Sequence, residues 1–438
     1  MLIERVGPMD LTVLAADATS VPMNLGALIV FDGPAPPPRE LLGLLGDRIP
    51  RIPRLRQILR RTPAGCGRPV WVDDPSFTVG RHIELLDRPD EDLLAVAASL
   101  LCRPLDPQRP LWRAALVAGQ DGHALVVVLH HVVADGLGGL AVLAALADES
   151  ADAAALRDFP LPPPTARELA SDAARARLRA LRSLPGDLRR GVAGLRELGV
   201  GRVRPRMAER LSLVAPTSRR RALTRVTVAL EDVVTIAHRY GGTVNDVVLC
   251  AVTGAMLAVL RARGEHPGHL IVSVPVSGRT SASPGRLGNN TGVRPISVPA
   301  IADDAARLAA IVAATREQRL STARAVSAGP LSALFRILHR TGLFRMFIEH
   351  QRLVHTFETN VRGLRSALHL AGSRIGELVP MVATPGNAGV TFAALSYAGA
   401  LTVCVITDPG IVPERQPLAA AVRRTFDVLA RTAVSSVM

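Results

Sequence analysis

Hydrophobic positions along the chain follow two alternating patterns. Segments rich in β-branched residues predict strands, and segments rich in Ala and Leu predict helices. Because the two kinds of segment alternate along the chain, we expect an α/β fold. The predicted strands are Leu25–Phe31, Ala124–His131, Arg225–Leu230, His269–Val276 and a hairpin of Val390–Tyr397 with Leu401–Thr407. The predicted helices are Arg39–Asp47, Gly138–Leu146 and Asn245–Arg263.

The chain of 438 residues is long enough for more than one domain. Its hydrophobic fraction of 48% and charged fraction of 21% allow a sizeable core and exclude a disordered chain. A proline-rich segment, Leu161–Pro164, marks a break, and Thr165–Arg225 then contains 16 arginines against five acidic residues. We therefore predict an N-terminal half (1–160), an arginine-rich crossover (161–225) and a C-terminal half (226–438).

Cysteine spacing and apolar run lengths narrow the class of protein. The four cysteines show neither CxxC nor Cys/His spacing, which argues against structural zinc and a disulfide framework. The N-terminal residues do not resemble a signal peptide. The longest uncharged apolar run, Val247–Leu260, is shorter than the roughly 18 residues that span a bilayer. We expect a cytoplasmic protein, either free or peripherally bound to a membrane or to lipid inclusions.

One motif carries recognisable chemistry. His130-His131 precedes Asp135-Gly136 at the end of a predicted strand, an HHxxxDG pattern. Adjacent strand residues point to opposite faces, so one imidazole can enter a cleft while the other faces the core. An imidazole near its unperturbed pKa can serve as a general base at neutral pH. Asp135 is expected to organise the turn and Gly136 to supply backbone freedom. The alternative is a buried histidine pair beside a helix-capping aspartate.

Further segments accompany this motif in a fixed order along nearly the whole chain. They are Pro22–Gly26 (PMNLG), Pro104–Asp106 with Arg109–Trp112 (PLD and RPLW), Gly242–Val248 (GTVNDVV), Val274–Arg279 (VPVSGR) and Gly288–Asn289 (GN). Each segment alone is weakly specific, but the ordered set is strongly so. With HHxxxDG, the set resembles the bacterial wax ester synthase/diacylglycerol acyltransferase family, within the CoA-dependent acyltransferase superfamily.

The chain departs from the family pattern at three places. Gly7 stands three residues before Asp10 where the family usually has serine, and Asn24 replaces a histidine. Thr359–Leu364 reads TNVRGL where the family usually shows SNVPGP, so two prolines are lost and an arginine is gained. These departures leave the proposed base unchanged and bear on acceptor preference and the level of activity.

The resemblance implies a fold and a reaction. Similar enzymes consist of two chloramphenicol-acetyltransferase-like α/β sandwich halves with an active-site channel between them. His131 would be the catalytic base, taking the acceptor's hydroxyl proton as the oxygen attacks the thioester of a long-chain acyl-CoA. The acceptor would be diacylglycerol or a long-chain fatty alcohol, giving triacylglycerol or wax ester. Acyl-CoA is then a substrate, and neither a cofactor nor a metal ion is expected.

The resemblance also implies roles for residues around the base. His130 and Gly136 would support the motif, and Asp135 would pair with Arg279. Five further candidates would line the substrate channel: Asn245, Asp246, Ser277, Asn289 and Asn360. Because Asn and Asp are good helix caps, capping is the alternative for Asn245 and Asp246. A solvated surface position is the alternative for Arg279.

Two basic regions bear on partners. Thr165–Arg225 carries most of the formal charge of +14, but it lacks Lys, Trp, Tyr and Phe, so we do not expect nucleic-acid binding. Leu331–Phe357 combines Phe with Arg and His and predicts a basic amphipathic helix. Such a helix can lie on a membrane or lipid-droplet surface, or it can cover the core or line the acyl tunnel.

Two rival functions stay open on the sequence alone. A condensation-type acyltransferase would take its acyl group from a carrier protein, for which the arginine-rich face could provide the docking surface. An inactive lipid-binding descendant would keep the fold without the chemistry, and the altered Thr359–Leu364 segment motivates that alternative. The sequence does not decide between diacylglycerol and fatty alcohol as the acceptor.

Overall fold

Two six-stranded sheets form the framework of the protein in a computed structural model of the chain. The structure describes residues 3–17, 20–150, 158–179, 207–277, 287–288, 291–321, 338, 341–384 and 386–435. The strands are β1 (Asn24–Phe31), β2 (Gln57–Arg60), β3 (Val70–Asp73), β4 (Ile83–Arg88), β5 (Trp112–Gly119), β6 (Gly122–His130), β7 (Ala222–Ala229), β8 (His269–Ser277), β9 (Thr291–Pro299), β10 (Thr356–Val361), β11 (His369–Leu370), β12 (Ser373–Val382), β13 (Val390–Tyr397) and β14 (Ala400–Thr407). The helices are α1 (Pro8–Ala16), α2 (Pro38–Arg48), α3 (Leu93–Cys102), α4 (Gly136–Leu146), α5 (166–179), α6 (Leu230–Arg239), α7 (Val244–Ala262), α8 (Asp304–Ser321), α9 (Phe344–His350) and α10 (Arg415–Ser435).

The predicted α/β alternation is confirmed, with small shifts at the ends of elements. One shift matters for function, because the strand predicted at Ala124–His131 ends at His130. Pairing with β5 stops at Leu129, and the backbone N–H of His131 donates instead to the carbonyl of Met23 at 2.7 Å. His131 therefore lies in the turn after β6 and not in the strand.

The N-terminal sheet has the strand order β11-β12-β1-β6-β5-β4. Its neighbours pair antiparallel except for β4 and β5, which are parallel. One face packs against α2 and α4 through side chains such as Leu41, Leu45 and Leu146. The opposite face packs against α3, and this core also includes Leu223 and Ile406 of the other sheet. The apolar core thus continues from one half of the molecule into the other.

The C-terminal sheet has the order β7-β14-β13-β10-β8-β9, and helices α6, α7, α8 and α10 share its core. Helix α7 is the central element of that core, with both Val247 and Leu260 fully buried. By length and composition alone, α7 would also be able to cross a membrane. Its burial among the other helices and the sheet identifies it as a core helix.

Sheet membership does not follow the predicted boundaries at 160 and 225. Strand β12 comes from the C-terminal part of the chain, yet it pairs with β1 in the N-terminal sheet, as in Leu28 opposite Val379. Helix α5 packs on the N-terminal half, where Asp172 accepts a 2.6 Å hydrogen bond from Arg5. Strand β7 already begins at Ala222. Long-range pairing of this kind leaves no periodic signal in the local sequence, which is why the three-part division missed it.

The single helix predicted over Leu331–Phe357 is not formed. Among its described residues, Gly342 has a left-handed φ of 73° and separates α9 from the part of the segment before it. After α9 the chain is extended, and Phe357 belongs to β10 in the C-terminal sheet. The glycine breaks the helical pattern on one side, and sheet pairing of Thr356 and Phe357 ends it on the other.

Candidate active site

The HHxxxDG turn connects β6 to α4 and lies deep in the N-terminal half. Val132, Val133 and Ala134 are fully buried. Val133 donates its backbone N–H to the carbonyl of His130 at 2.8 Å, which closes the turn. The apolar positions between the histidines and Asp135 therefore anchor the turn and hold the polar residues at its two ends.

His130 is buried, and its ring orientation is set from both sides. Nδ1 accepts a hydrogen bond from the backbone N–H of Val132 at 3.1 Å, so the ring proton lies on Nε2. Nε2 lies 3.2 Å from Oδ1 of Asp17, just after α1. Burial alone would raise the pKa of Asp17, but contact with His130 and the N–H of Met23 lowers it below its usual value. His130 therefore supports the site as a fixed ring between a turn and a carboxylate.

His131 keeps part of its surface accessible, unlike His130. Burial of the ring lowers the pKa of His131 below its ordinary value, and the neighbouring His130 adds to this effect, against smaller opposing effects of a backbone hydrogen bond and of Asp135. A lowered pKa means that the imidazole is neutral at neutral pH. A neutral, partly accessible imidazole at the end of a strand is suited to accept a proton.

Asp135 caps helix α4, as the alternative interpretation of the motif anticipated. Its Oδ1 accepts the backbone N–H of Gly138 at 2.9 Å, and the residue is buried. The preceding residue, Ala134, forms a parallel bridge with Gly288. The same turn thus caps a helix of one half and meets a segment that follows the strand β8 of the other half.

Gly136 is required for a reason that the sequence did not reveal. Its backbone is not in the left-handed region, so the expected need for backbone freedom is wrong. A Cβ at this position would instead lie 2.8 Å from Cγ2 of Val361, the last residue of β10. The glycine therefore allows β10 to approach the first turn of α4.

The segment TNVRGL runs from β10 into the region between the two halves. Asn360 is partly exposed and pairs with Ala394 of β13. A Cβ at Gly363 would lie 1.8 Å from the carbonyl oxygen of Ser396, and the Gly363 N–H donates to Oγ of Ser396 at 3.1 Å. The family's glycine is thus kept for a close backbone approach, although the neighbouring prolines are lost.

Asn245 and Asp246 lie in the first turn of α7. Asp246 is buried, and its Oδ2 accepts hydrogen bonds from the N–H and Oγ1 of Thr243, both at 2.8 Å. Its Oδ1 accepts the hydroxyl of Thr315 on α8 at 2.8 Å. Asp246 is therefore a capping residue that also joins α7 to α8, whereas Asn245 beside it is partly exposed.

Three of the predicted site residues are not placed by side-chain geometry. Arg279 and Asn289 lie outside the described residues, so the predicted pair of Asp135 with Arg279 stays a prediction. Ser277 is the last residue of β8, and only its backbone is described. Within the described ranges, no group of three His, Cys, Asp or Glu residues is arranged to hold a metal ion.

Three residues at or near this site were missed by the sequence analysis. Asp17 contacts His130, and Val361 packs on Gly136. Glu358 lies three residues before Val361 and is fully buried. Strand β10 was not among the predicted strands, so Glu358 was not recognised, and nothing in the local sequence connects Asp17 or Val361 to the motif.

Comparison with known proteins places the chain in one family. Residues 6–248 match the wax ester synthase/diacylglycerol acyltransferase catalytic domain, and residues 287–430 match the C-terminal domain of the same proteins. A probable diacylglycerol O-acyltransferase of Mycobacterium tuberculosis is 30% identical over 440 residues, covering 94% of this chain and 91% of that protein. Another protein of that species, a putative diacylglycerol O-acyltransferase, is 27% identical over 449 residues, covering 94% of this chain and 87% of that protein.

Solved structures show the same fold. The wax ester synthase/diacylglycerol acyltransferase of Marinobacter aquaeolei VT8 superimposes with a TM-score of 0.67 at 21% identity, covering 98% of this chain and 99% of that chain. The first condensation domain of the calcium-dependent antibiotic synthetase gives a TM-score of 0.63 at 17% identity, covering 99% and 96%. The two family matches together cover most of this chain, and the chain therefore belongs to the wax ester synthase/diacylglycerol acyltransferase family.

Proposed function

We propose that the protein transfers a long-chain acyl group from acyl-CoA to the hydroxyl of diacylglycerol or of a long-chain alcohol, with His131 as the general base. The observation that carries this proposal is the neutral, partly accessible imidazole of His131 beside the buried and fixed ring of His130. Membership of the family supports both the donor and the two classes of acceptor.

The reaction needs one proton acceptor. The His131 imidazole takes the proton from the acceptor hydroxyl as its oxygen bonds to the thioester carbonyl carbon. The carbon–sulfur bond then breaks, and the CoA thiolate leaves with the proton that the imidazole returns. General-base assistance of this kind contributes about 10²- to 10⁴-fold in rate, and holding both substrates at one site contributes more. No covalent acyl-enzyme and no cofactor enter this scheme.

The surrounding residues have positioning roles in this proposal. Asp135 fixes the start of α4, and Arg279 is its proposed ion-pair partner in the other half. Asn245, Ser277, Asn289 and Asn360 are proposed to line the route by which the substrates reach His131. Asp246 contributes through the architecture of α7, because its carboxylate is occupied by Thr243 and Thr315.

A thioester-transfer assay tests the function. Purified protein would be given radiolabelled palmitoyl-CoA with dioleoylglycerol or with hexadecanol. His131→Ala would be compared with His123→Ala, because His123 is exposed on the same strand, β6. We expect labelled triacylglycerol or wax ester from wild type and from His123→Ala, and at least a 100-fold loss in His131→Ala. Equal product from His131→Ala would exclude the assigned base.

The same assay separates the rival functions. Palmitoyl groups on an acyl carrier protein would be offered in a parallel series. Product from the carrier thioester alone would indicate a condensation-type enzyme. Absence of product with every donor, from protein that melts cooperatively, would indicate a lipid-binding protein without this activity.

We further propose that the protein is cytoplasmic and binds peripherally to anionic lipid surfaces through a patch around α9. The patch consists of Met207, Leu343, Met346 and Leu353, which are each 45% to 59% exposed. The backbone N–H of Ala208 donates to the carbonyl of Arg352 at 2.8 Å, and Nε of Arg352 donates to the carbonyl of Ala208 at 3.0 Å, so the segment of Met207 is joined to that of Leu353. Arg352 on the same segment is exposed and favours anionic headgroups, whereas the exposed Arg345 is paired with Glu349 at 2.8 Å.

The patch lies near the proposed active site. Helix α1 packs against α9, and Asp17 at the end of α1 contacts His130. A protein bound to lipid through this patch would therefore present that side of the N-terminal half to a water-insoluble acceptor. This arrangement suits an enzyme whose acceptor and product partition into lipid.

Vesicle binding tests the patch. The double substitution Met346→Glu with Leu353→Glu would be compared with Leu85→Glu, which changes an equally exposed leucine on β4. We expect at least tenfold weaker binding of the double variant to phosphatidylglycerol vesicles and unchanged binding of Leu85→Glu. Equal binding of all three proteins, or equal binding to neutral phosphatidylcholine vesicles, would contradict the proposed surface.

A further inference from the structure

Glu358 is a fully buried acid in the middle of the C-terminal half, and the proposed reaction does not use it. Neither carboxyl oxygen forms a hydrogen bond within the part of the chain that the structure describes. The other buried polar side chain on the same face of β10, Thr356, donates its hydroxyl to the carbonyl of Val390 at 2.7 Å. Burying a polar group without a partner is unfavourable, so this acid calls for an explanation other than stability.

Glu358 marks the point at which β10 leaves one neighbouring strand. Thr356 and Phe357 pair with Val272 and Ser273 of β8, and the pairing then ends. From Glu358 to Val361 the strand pairs with β13 on its other side. Beyond Phe357 the carboxyl ends of the parallel strands β8 and β10 are thus no longer joined. In α/β sheets, the place where neighbouring parallel strands separate at their carboxyl ends is the usual position of a ligand crevice.

The first turn of α7 lies near Glu358 of β10. Asp246 lies close enough to Glu358 to act on it electrostatically, and its own carboxylate is held by Thr243 and Thr315. Burial, reinforced by the charge of Asp246, raises the pKa of Glu358 to about 8. Cys250, one turn further along α7, has a pKa raised to about 12 by burial and stays a neutral thiol. No cation forms an ion pair with Glu358 within the described ranges.

These features give Glu358 a particular chemical capacity. At neutral pH its carboxyl group is uncharged and carries both a hydrogen-bond donor and an acceptor. Its strand partner on β13 is Phe392, which belongs to the apolar core of the C-terminal half together with Val272 and Val274 of β8. Such a carboxyl group favours an uncharged polar ligand group, an amide or a hydroxyl, over an anion or a hydrocarbon chain.

Glu358 is also connected to the proposed active site along its own strand. Val361, three residues on, packs against Gly136 of the HHxxxDG turn. A ligand that lies between the carboxyl ends of β8 and β10 can therefore extend toward His131. Among the proposed substrates, only the acyl thioester carries uncharged amide groups at a distance from its reacting carbonyl.

We propose that Glu358 is a substrate-binding residue that hydrogen-bonds an uncharged amide or hydroxyl group of the acyl thioester in a crevice between β8 and β10. This inference rests on the proposed function, since it takes the thioester donor from it. The two sources of the polar group are the pantetheine amides, which every acyl-CoA carries, and a hydroxyl on the acyl chain. In either case Glu358 selects the donor and does not take part in proton transfer at the reacting carbonyl.

Equilibrium binding tests this proposal without requiring turnover. Calorimetric titration with palmitoyl-CoA and with 3-hydroxypalmitoyl-CoA would compare wild type, Glu358→Gln, Glu358→Leu and the control Glu317→Gln, an exposed acid on α8. If the amides are the ligand, Glu358→Leu should bind both thioesters about tenfold more weakly. If an acyl hydroxyl is the ligand, only the hydroxylated thioester should be affected. Glu358→Gln should retain binding at pH 7, because its amide also donates and accepts.

Two further measurements distinguish a binding role of Glu358 from a structural one: the pH dependence of thioester affinity and the melting temperature of the variants. Wild-type affinity should fall as pH rises through about 8, where Glu358 ionises, whereas Glu358→Gln should show no such fall. Glu358→Leu should melt at a temperature equal to or higher than that of wild type, because an unpaired polar group is removed from the core.

The outcomes separate this inference from the proposed function. Unchanged affinity of folded Glu358→Leu for both thioesters would overturn the role of Glu358. Failure of wild type to bind any acyl-CoA would also overturn it. Wild type that binds palmitoyl-CoA but forms no ester would refute the proposed function, while the comparison of Glu358 variants would still decide the binding role.

Discussion

At the scale of single residues, two adjacent histidines differ because their surroundings differ. His130 ends a strand, and its ring is held between the Val132 N–H and the Asp17 carboxylate. His131 begins the turn, keeps part of its surface accessible and has a lowered pKa. The identical side chains therefore differ in that one is a fixed support and the other is the proposed proton acceptor, and this difference depends on where the strand pairing ends.

The lowered pKa of His131 predicts the acid limb of the pH profile. Protonation removes the base, so kcat/KM should be constant near neutral pH and fall only as pH drops below the ordinary histidine value of about 6.5. The measurement is kcat/KM for palmitoyl-CoA between pH 5 and 8, with protein integrity checked by circular dichroism at each pH. An acid limb centred at or above 7 would contradict the burial argument.

At the scale of secondary structure elements, close approaches between elements determine where glycine is needed. Gly136 lets the side chain of Val361 pack against the start of α4, and Gly363 lets the backbone of Ser396 approach closely. Neither position requires a left-handed φ. Gly139 lies in the same helix as Gly136, yet a Cβ there would meet only ordinary contacts at 3.8 Å and beyond. Glycines in one helix can thus have different physical roles.

This difference predicts opposite effects of two alanine substitutions. Gly136→Ala should lower the free energy of unfolding by about 1–3 kcal/mol because the new methyl group overlaps Val361. Gly139→Ala should raise it by up to about 1 kcal/mol through improved helix propensity. The double variant Gly136→Ala with Val361→Ala should recover part of the loss. Denaturant unfolding measures all three, and equal destabilisation of the single and double variants would argue against the contact.

At the scale of the whole molecule, strand β12 joins the two halves. It belongs to the N-terminal sheet, but Glu377 on it contacts the C-terminal sheet. The Glu377 carboxylate lies 2.9 Å from Nε of Arg225 and accepts the hydroxyl of Thr227 at 2.6 Å. Elsewhere between the halves, the buried Arg221 guanidinium lies 3.6 Å from the Asp408 carboxylate of the same half and close to Cys102 of the other. Polar contacts thus supplement the shared apolar core.

Removal of the Glu377 contact should affect stability more than chemistry. Glu377→Ala leaves Arg225 and Thr227 without this partner, so the free energy of unfolding should fall by about 1–3 kcal/mol. Val382 of β12 lies at the end of the sheet where His130 is found. Glu377 is five residues before Val382, so the two residues are about 17 Å apart along the strand. We therefore expect kcat/KM per folded molecule to stay within twofold of wild type.

A matched control for this substitution is available on the surface. Glu91→Ala removes an exposed pair with Arg88, in which both side chains are 51% exposed. Such a pair is worth little, so the free energy of unfolding should change by less than about 0.5 kcal/mol. Equal effects of the Glu377 and Glu91 substitutions in chemical denaturation would show that the Glu377 contacts stabilise the junction no more than an exposed ion pair does.

The sequence by itself determined the local elements and the identity of the motif. Periodicity is a local property, so it located β1, α4, α7 and the β13–β14 hairpin to within a few residues. The order of short motifs along the chain identified the family, because that order survives when overall identity is low. The capping alternative for Asp246 was also readable, since the spacing from Thr243 is a local helix-start pattern.

Only the tertiary structure decided which distant residues meet. In the folded chain, β12 pairs within the N-terminal sheet and Asp17 lies against His130. Glu358 lies near Asp246, which is 112 positions earlier in the chain. The tertiary structure also ended β6 at His130, because pairing with β5 stops one residue earlier. These outcomes depend on the pairing and packing of segments far apart in sequence, and a local pattern of hydrophobic and polar positions carries no record of that pairing.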